Sequence, residues 1–311
     1  MERTFIITGG NSGLGYQCAK NVALKNRNNH VIIASRNVEK SKKAAAEISN
    51  ETGNPHLYAM PLNLASLTSV RNFCKIFEKS TLPTLYGLVC NAIAGSAGKA
   101  QYTEDGFEMT FGTGHLGHFL LTNLLLRNMQ DTGRIVFVSS DQHNPPKFIG
   151  KISYTNAMDF AYPQTGNHTT RYSGTKLCNL YCTYEMAKRI TEETNKNITV
   201  NAFNPAFMAD TGLGESAKTV AEKVAKLLAP TLARVMGLHS SAEKSGKLLA
   251  KMMTDVSFEG LTGKYFNREK EIPSSELSYN KANAVNLWEE SVELVKLQSE
   301  ETIFALSSWK K

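Results

Sequence analysis

The stretch Thr8-Gly9-Gly10-Asn11-Ser12-Gly13-Leu14-Gly15 constrains the fold of this chain more than any other. It follows an apolar run, Phe5 to Ile7, and opens a segment with helical spacing, Gly13 to Leu24. Glycines at 9, 13 and 15 permit a tight turn and let the backbone come close to a pyrophosphate. The helix that follows offers free N–H groups and the positive end of its dipole to such an anion. Many Gly-rich turns are only turns. One set between a strand and a helix of a βαβ unit reads as a dinucleotide site, with Gly9, Asn11, Ser12, Gly13, Leu14 and Gly15 as its contacts.

The rest of the chain keeps the rhythm that this unit begins. Buried strands are expected at Val31–Ala34, His56–Leu62, Leu85–Cys90, Arg134–Val138 and Ile198–Phe203, with a short last one at Lys264–Phe266. Between them, Val38–Ile48 reads as a surface helix and Leu67–Phe77 as a helix capped by Ser66. Short apolar strands alternating with helices predict a single α/β domain. Its core would be a Rossmann-type, doubly wound parallel sheet with helices on both faces. Two stretches break the rhythm, about 141–170 and about 206–240, and both follow strand C-terminal ends, where ligands sit in such sheets. They are read as walls of a substrate pocket within one domain spanning 1–311. Met208, Leu213, Leu227, Leu228, Leu232, Val235 and Met236 in the second would form an apolar lid or pack on the core.

The end of the second strand selects the cofactor. An acidic residue about 20 positions beyond the glycines would bind the ribose 2′-hydroxyl of NAD. The strand instead ends Ala34-Ser35-Arg36-Asn37, with Arg36 21 positions after Gly15 (36 − 15) and no carboxylate before Glu39. A guanidinium grips a 2′-phosphate that a carboxylate would repel. NADP(H) is the expected cofactor.

Tyr172-Ser173-Gly174-Thr175-Lys176 sets Tyr and Lys at i and i+4 on one helix face. A phenol titrates near ~10, and a neighbouring ammonium favours the phenolate and should lower that value. Tyr172 is then the expected proton carrier toward a carbonyl or alcohol oxygen. Lys176 would tune it and hold the nicotinamide ribose.

The bulk properties restrict the alternatives. The net charge is +7, but Lys and Arg are dispersed and form no long basic run, so a nucleic-acid partner is not expected. Five cysteines, an odd and sparse set, argue against a disulfide framework. Cys178 and Cys182 lie four apart without a second Cys/His pair, so no metal site is expected. No run reaches the ~20 apolar residues of a membrane span. The N-terminus enters a strand at once, leaving no room for a signal peptide. A cytoplasmic enzyme with a small-molecule substrate is expected, its oligomeric state open.

Taken together, these motifs resemble the short-chain dehydrogenase/reductase family. Within it the chain is similar to the branch of retinol dehydrogenases and light-dependent protochlorophyllide oxidoreductases. The markers are Thr8–Gly15, Cys90-Asn91-Ala92, His115-Leu116-Gly117-His118-Phe119, Val138-Ser139-Ser140, Tyr172–Asn179, Asn204-Pro205-Ala206 and Leu287-Trp288-Glu289-Glu290-Ser291. The resemblance implies that Ser140, or its neighbour Ser139, polarises the substrate oxygen. It also implies that Asn91 lies beside the adenosine ribose. Asn63, followed by Leu64, stands where the family's Asp touches adenine. Gly114 replaces the family's proton-relay Asn, and Ile93 and Ala206 replace usual glycines. Phe207 stands where pigment reductases carry a cysteine. The 32 positions from Ser140 to Tyr172 (172 − 140) match the retinol-type branch better. The leading expectation is therefore an NADPH-dependent carbonyl/alcohol oxidoreductase with an apolar substrate. The alternatives are light-driven reduction of a tetrapyrrole C=C bond and a non-catalytic NADPH-binding sensor.

Overall fold

The computed structural model describes residues 2–95, 98–145, 152–164, 166–206 and 240–306. Its strands are β1 (Arg3–Thr8), β2 (Asn29–Ser35), β3 (Leu57–Pro61), β4 (Leu85–Cys90), β5 (Met129–Val138), β6 (Thr199–Asn204), β7 (Lys264–Asn267) and β8 (Lys270–Glu271). They form one sheet in the order β3-β2-β1-β4-β5-β6-β7-β8, parallel throughout except for the β7–β8 pair. The strand order reverses between β1 and β4, which places the carboxyl ends of these strands around a crevice suited to a ligand.

The helices are α1 (Gly13–Lys25), α2 (Val38–Thr52), α3 (Leu67–Glu78), α4 (Met109–Phe111), α5 (Gly117–Leu125), α6 (Ala157–Ala161), α7 (His168–Glu193), α8 (Ala242–Thr254) and α9 (Lys281–Leu294). A π-helical turn, Gly112–Leu116, joins α4 to α5. Alternation along each strand sorts side chains to the two faces. Phe5, Ile7, Val31, Ile33, Val89 and Val136 pack with α1, α2 and α8. Ile6, Ile32, Leu88, Ile135 and Phe137 pack with α3, α5, α7 and α9. The sheet is therefore buried on both sides, the doubly wound α/β arrangement that the strand pattern predicts.

The differences from the sequence reading have local causes. β5 begins five residues before Arg134, because Gln130-Asp131-Thr132-Gly133 is polar and hid the strand. The β4 partners of Met129 and Arg134 are Leu85 and Gly87, so β5 carries three extra residues there (134 − 129 = 5 against 87 − 85 = 2). β8 is two exposed polar residues without an apolar signature. Ser66 caps α3 as expected, its Oγ accepting from Ser69 N at 3.4 Å. The irregular stretch after β5 is shorter than it reads, since α6 forms within it and α7 already begins at His168.

Candidate active site

Thr8, the last residue of β1, ties the mouth of the crevice together. Its Oγ1 accepts from Asn91 N (2.8 Å) and Ala92 N (3.0 Å), and lies 3.1 Å from Val89 O and 2.9 Å from His118 Nε2. Asn91 Nδ2 donates to Thr8 O at 2.8 Å. Burial pushes His118 down to about 3, so the ring is neutral. Its Nδ1 faces Gly114 O at 3.4 Å. Gly9 and Gly13 adopt φ of 65° and 53°, the left-handed region that the turn requires. A Cβ on Gly15 would stand 2.4 Å from Gly9 O, so no larger residue allows this closeness of turn and helix. Ser12 caps α1 without a side-chain bond, which keeps its hydroxyl available beside the free amides of the first turn. Asn11, Leu14 and Ser12 thus stand around a cradle that fits a pyrophosphate.

Arg36 is exposed just beyond β2, and no carboxylate pairs with it among the described residues. Asn37 is spent on capping α2, its Oδ1 accepting from Lys40 N. Asn63 is also engaged, donating from Nδ2 to Glu104 Oε1 (2.9 Å) and accepting from Ala65 N at Oδ1 (3.1 Å). Leu64 is buried beside it.

The catalytic candidates converge at the C-terminal end of β5. The Lys176 ammonium, carried by α7, donates to Val138 O at 2.7 Å and lies 5.3 Å from the Tyr172 ring centroid. The two neighbouring serines make different contacts. Ser139 is buried and donates to Lys176 O at 3.0 Å. The Ser140 side chain is half-buried beside the Tyr172 phenol, its Oγ donating to Asp141 Oδ1 at 3.1 Å and accepting from Gln142 N at 3.2 Å.

One expectation is reversed. Burial pushes Tyr172 up to about 12; the Ser140 bond lowers the value and the Asp141 charge raises it. Burial likewise pushes Lys176 down to about 7. Desolvation is the largest cause of both shifts, with Lys176 buried and Tyr172 half-buried at the sheet end.

Positioning groups absent from the sequence reading surround this centre. His143 accepts from Ser275 N at Nε2 (3.0 Å) and meets Ser140 O at Nδ1 (2.6 Å), which fixes the backbone of Ser140. Arg171, next to Tyr172, pairs with buried Glu108 at 3.1 Å and donates to Gly166 O and Gly98 O, both at 2.9 Å. Glu108 in turn accepts from Phe111 N, the start of the segment leading to Gly114. A Cβ on Gly114 would stand 2.8 Å from Ile93 Cδ1 and 2.9 Å from Thr175 Cγ2. Ile93 therefore occupies the space beside Gly114, and these two departures from the family pattern belong together. All five cysteines are free and buried, their thiols pushed up by burial. Ala206 takes a φ of 67°, where a glycine would be unstrained. Phe207 and the seven apolar residues of the second pocket stretch lie outside the described residues.

Comparison with known proteins adds the following. A family model described as short chain dehydrogenase matches residues 3–157. The chain is 34% identical over 302 residues to a WW domain-containing oxidoreductase of Danio rerio, an alignment covering 96% of this chain and 69% of that protein. It is 35% identical over 309 residues to retinol dehydrogenase 13 of Homo sapiens, covering 96% and 86%. A crystal structure of an uncharacterized protein from Mycobacterium Paratuberculosis superposes with a TM-score of 0.71 at 27% identity, covering 98% of this chain and 95% of that one.

Proposed function

This chain belongs to the short-chain dehydrogenase family, and from that premise we propose that it is an NADPH-dependent reductase of an apolar carbonyl compound, working in the cytoplasm as one unit across 1–311. The observation that carries the reading is the meeting of Ser140, Tyr172 and Lys176 at the carboxyl end of β5, beside the glycine cradle of β1. The cradle, Asn91 and Arg36 hold the cofactor, Arg36 taking the 2′-phosphate. Bound NADPH supplies the hydride. Ser140 donates a hydrogen bond to the carbonyl oxygen and stabilises the charge that grows there. Tyr172 releases its proton to that oxygen as the alcohol forms, and Lys176 stabilises the resulting phenolate. With burial pushing the phenol up to about 12, Tyr172 keeps its proton across the physiological range, which suits the acid role. Retinol, in the name of one relative, is an apolar alcohol and supports the substrate class. No helix among the described residues is long and apolar enough to cross a membrane.

Two tests follow from this assignment. The unmodified protein should bind NADPH in preference to NADH, and Arg36→Asp should erase or reverse the preference. The expected change is roughly 1–3 kcal/mol, the scale of charge-assisted bonds, and equal affinity for both cofactors in titration calorimetry of the unmodified protein would refute the 2′-phosphate role. Ser140→Ala should lower kcat by about 10²–10³ with KM little changed, as for loss of one oxyanion donor. Ser139→Ala should act through stability, because Ser139 serves the α7 backbone. A larger kinetic loss from Ser139→Ala would exchange the two roles.

A further inference from the structure

At the amino ends of β1, β4, β5 and β6, opposite the catalytic residues, lies a cavity of about 530 Å³ lined by Arg3, Tyr86, Arg134, Asn197, Thr199 and Glu259 among others. We infer that this cavity is a second binding site, for a small organic anion carrying phosphate or carboxylate groups. Its volume falls within the range of small-molecule sites, roughly 300–1,000 Å³.

The charges lining it are unequal. Arg134 is 5% exposed, and its Nη1 donates to Met252 O (3.0 Å) and Asp255 O (2.7 Å) at the carboxyl end of α8. Arg3 stacks on the Tyr86 ring at 3.9 Å, and Arg134 stands 5.8 Å from the same ring centroid. Neither guanidinium has an ion pair among the described residues. The nearby carboxylates are used elsewhere: Asp255 accepts from Ser257 N and Oγ and reaches Lys25, and Asp131 pairs with Lys196 at 3.0 Å. Glu259 alone remains in the lining, so two cations face one anion. A buried cation without a counter-charge costs stability, and the helix-end carbonyls offset that only in part. An anionic ligand would complete the compensation.

The wall of the cavity is fixed. The three extra residues of β5 stand out beside it, held by Asn197 N donating to Asp131 O (2.7 Å) and Lys196 Nζ donating to Met129 O (2.9 Å). Buried Thr199 and exposed Asn197 add neutral polar side chains to the lining. Because Arg134 is buried in the lining, a flat lipid surface does not reach it.

The test is calorimetric titration of the full chain, saturated with NADPH so that the nucleotide site is filled, with inorganic phosphate and separately with citrate. Saturable binding is expected for at least one of them. It should persist in Arg36→Ala, weaken about tenfold or more in Arg3→Ala, weaken also in Thr199→Val, and tighten in Glu259→Gln. Arg3 is half-buried at a strand start and caps nothing, so its removal should leave the fold intact, checked by the thermal midpoint. Three results would overturn the inference: no saturable binding of either anion, equal affinity in Arg3→Ala and the unmodified protein, or Arg3-dependent binding to phosphatidylglycerol vesicles without binding of the free anions.

Discussion

Replacing Tyr172 with Phe is expected to lower reductive turnover by roughly 10²–10⁴-fold, the range for loss of a positioned proton donor, with NADPH affinity preserved. The change removes one oxygen and leaves the ring, so the contact with the Lys176 ammonium 5.3 Å from its centroid persists. What disappears is the transferable proton and its bond to Ser140. Single-turnover mixing with NADPH separates the two effects, binding amplitude surviving while the chemical phase slows. Near-normal turnover in this variant would transfer the acid role to another group and leave Tyr172 as packing.

Lys176→Met should have the second largest effect, and the sign of its stability effect is informative. The folded value of about 7 lies far below the ordinary 10.5. The unfolded chain therefore binds this proton more readily. Stability contributed through Lys176 is lowest below about pH 7, where the buried ammonium is fully formed, and rises as pH climbs from there toward 10.5. Removing the charge should stabilise the fold near neutral pH by about 1–2 kcal/mol, a trade of function against stability, and the gain should shrink as pH rises through that window. Turnover should fall by about 10²–10³, the scale of a lost electrostatic stabiliser. Reductive turnover of the unmodified enzyme should decline above about pH 7 as the ammonium is lost, and this limb should be absent in Lys176→Met. Calorimetric melting and pH–rate profiles of both proteins check it; a less stable Met variant would mean that the Val138 O bond outweighs the buried charge.

Which features were legible in the chain follows from their physics. The glycine turn and the Tyr-x-x-x-Lys pair are contiguous, so local geometry specifies them. The buried strands announce themselves through apolar runs, whereas Met129–Gly133 and Lys270–Glu271 carry no such signal and become strands only by pairing. The sequence leaves Ser139 and Ser140 equivalent; their different contacts at the strand end separate them. His143 and Arg171 act through partners 132 and 73 residues away, which no local pattern encodes. The Tyr172 and Lys176 shifts arise from tertiary burial, so reasoning from the neighbouring charge alone predicted the wrong direction for the phenol. Much of the two pocket stretches, 141–170 and 206–240, lies outside the described residues.

The most direct test of the reductase reading is transfer of deuterium from C4-labelled NADPH to a panel of apolar aldehydes and ketones, with retinaldehyde among them, followed by mass spectrometry of the products. The account predicts label on the carbinol carbon of at least one alcohol, formed equally in darkness and light, and lost in Tyr172→Phe. Tight NADPH binding with no label leaving the cofactor for any member of the panel would contradict it and favour a nucleotide-binding sensor.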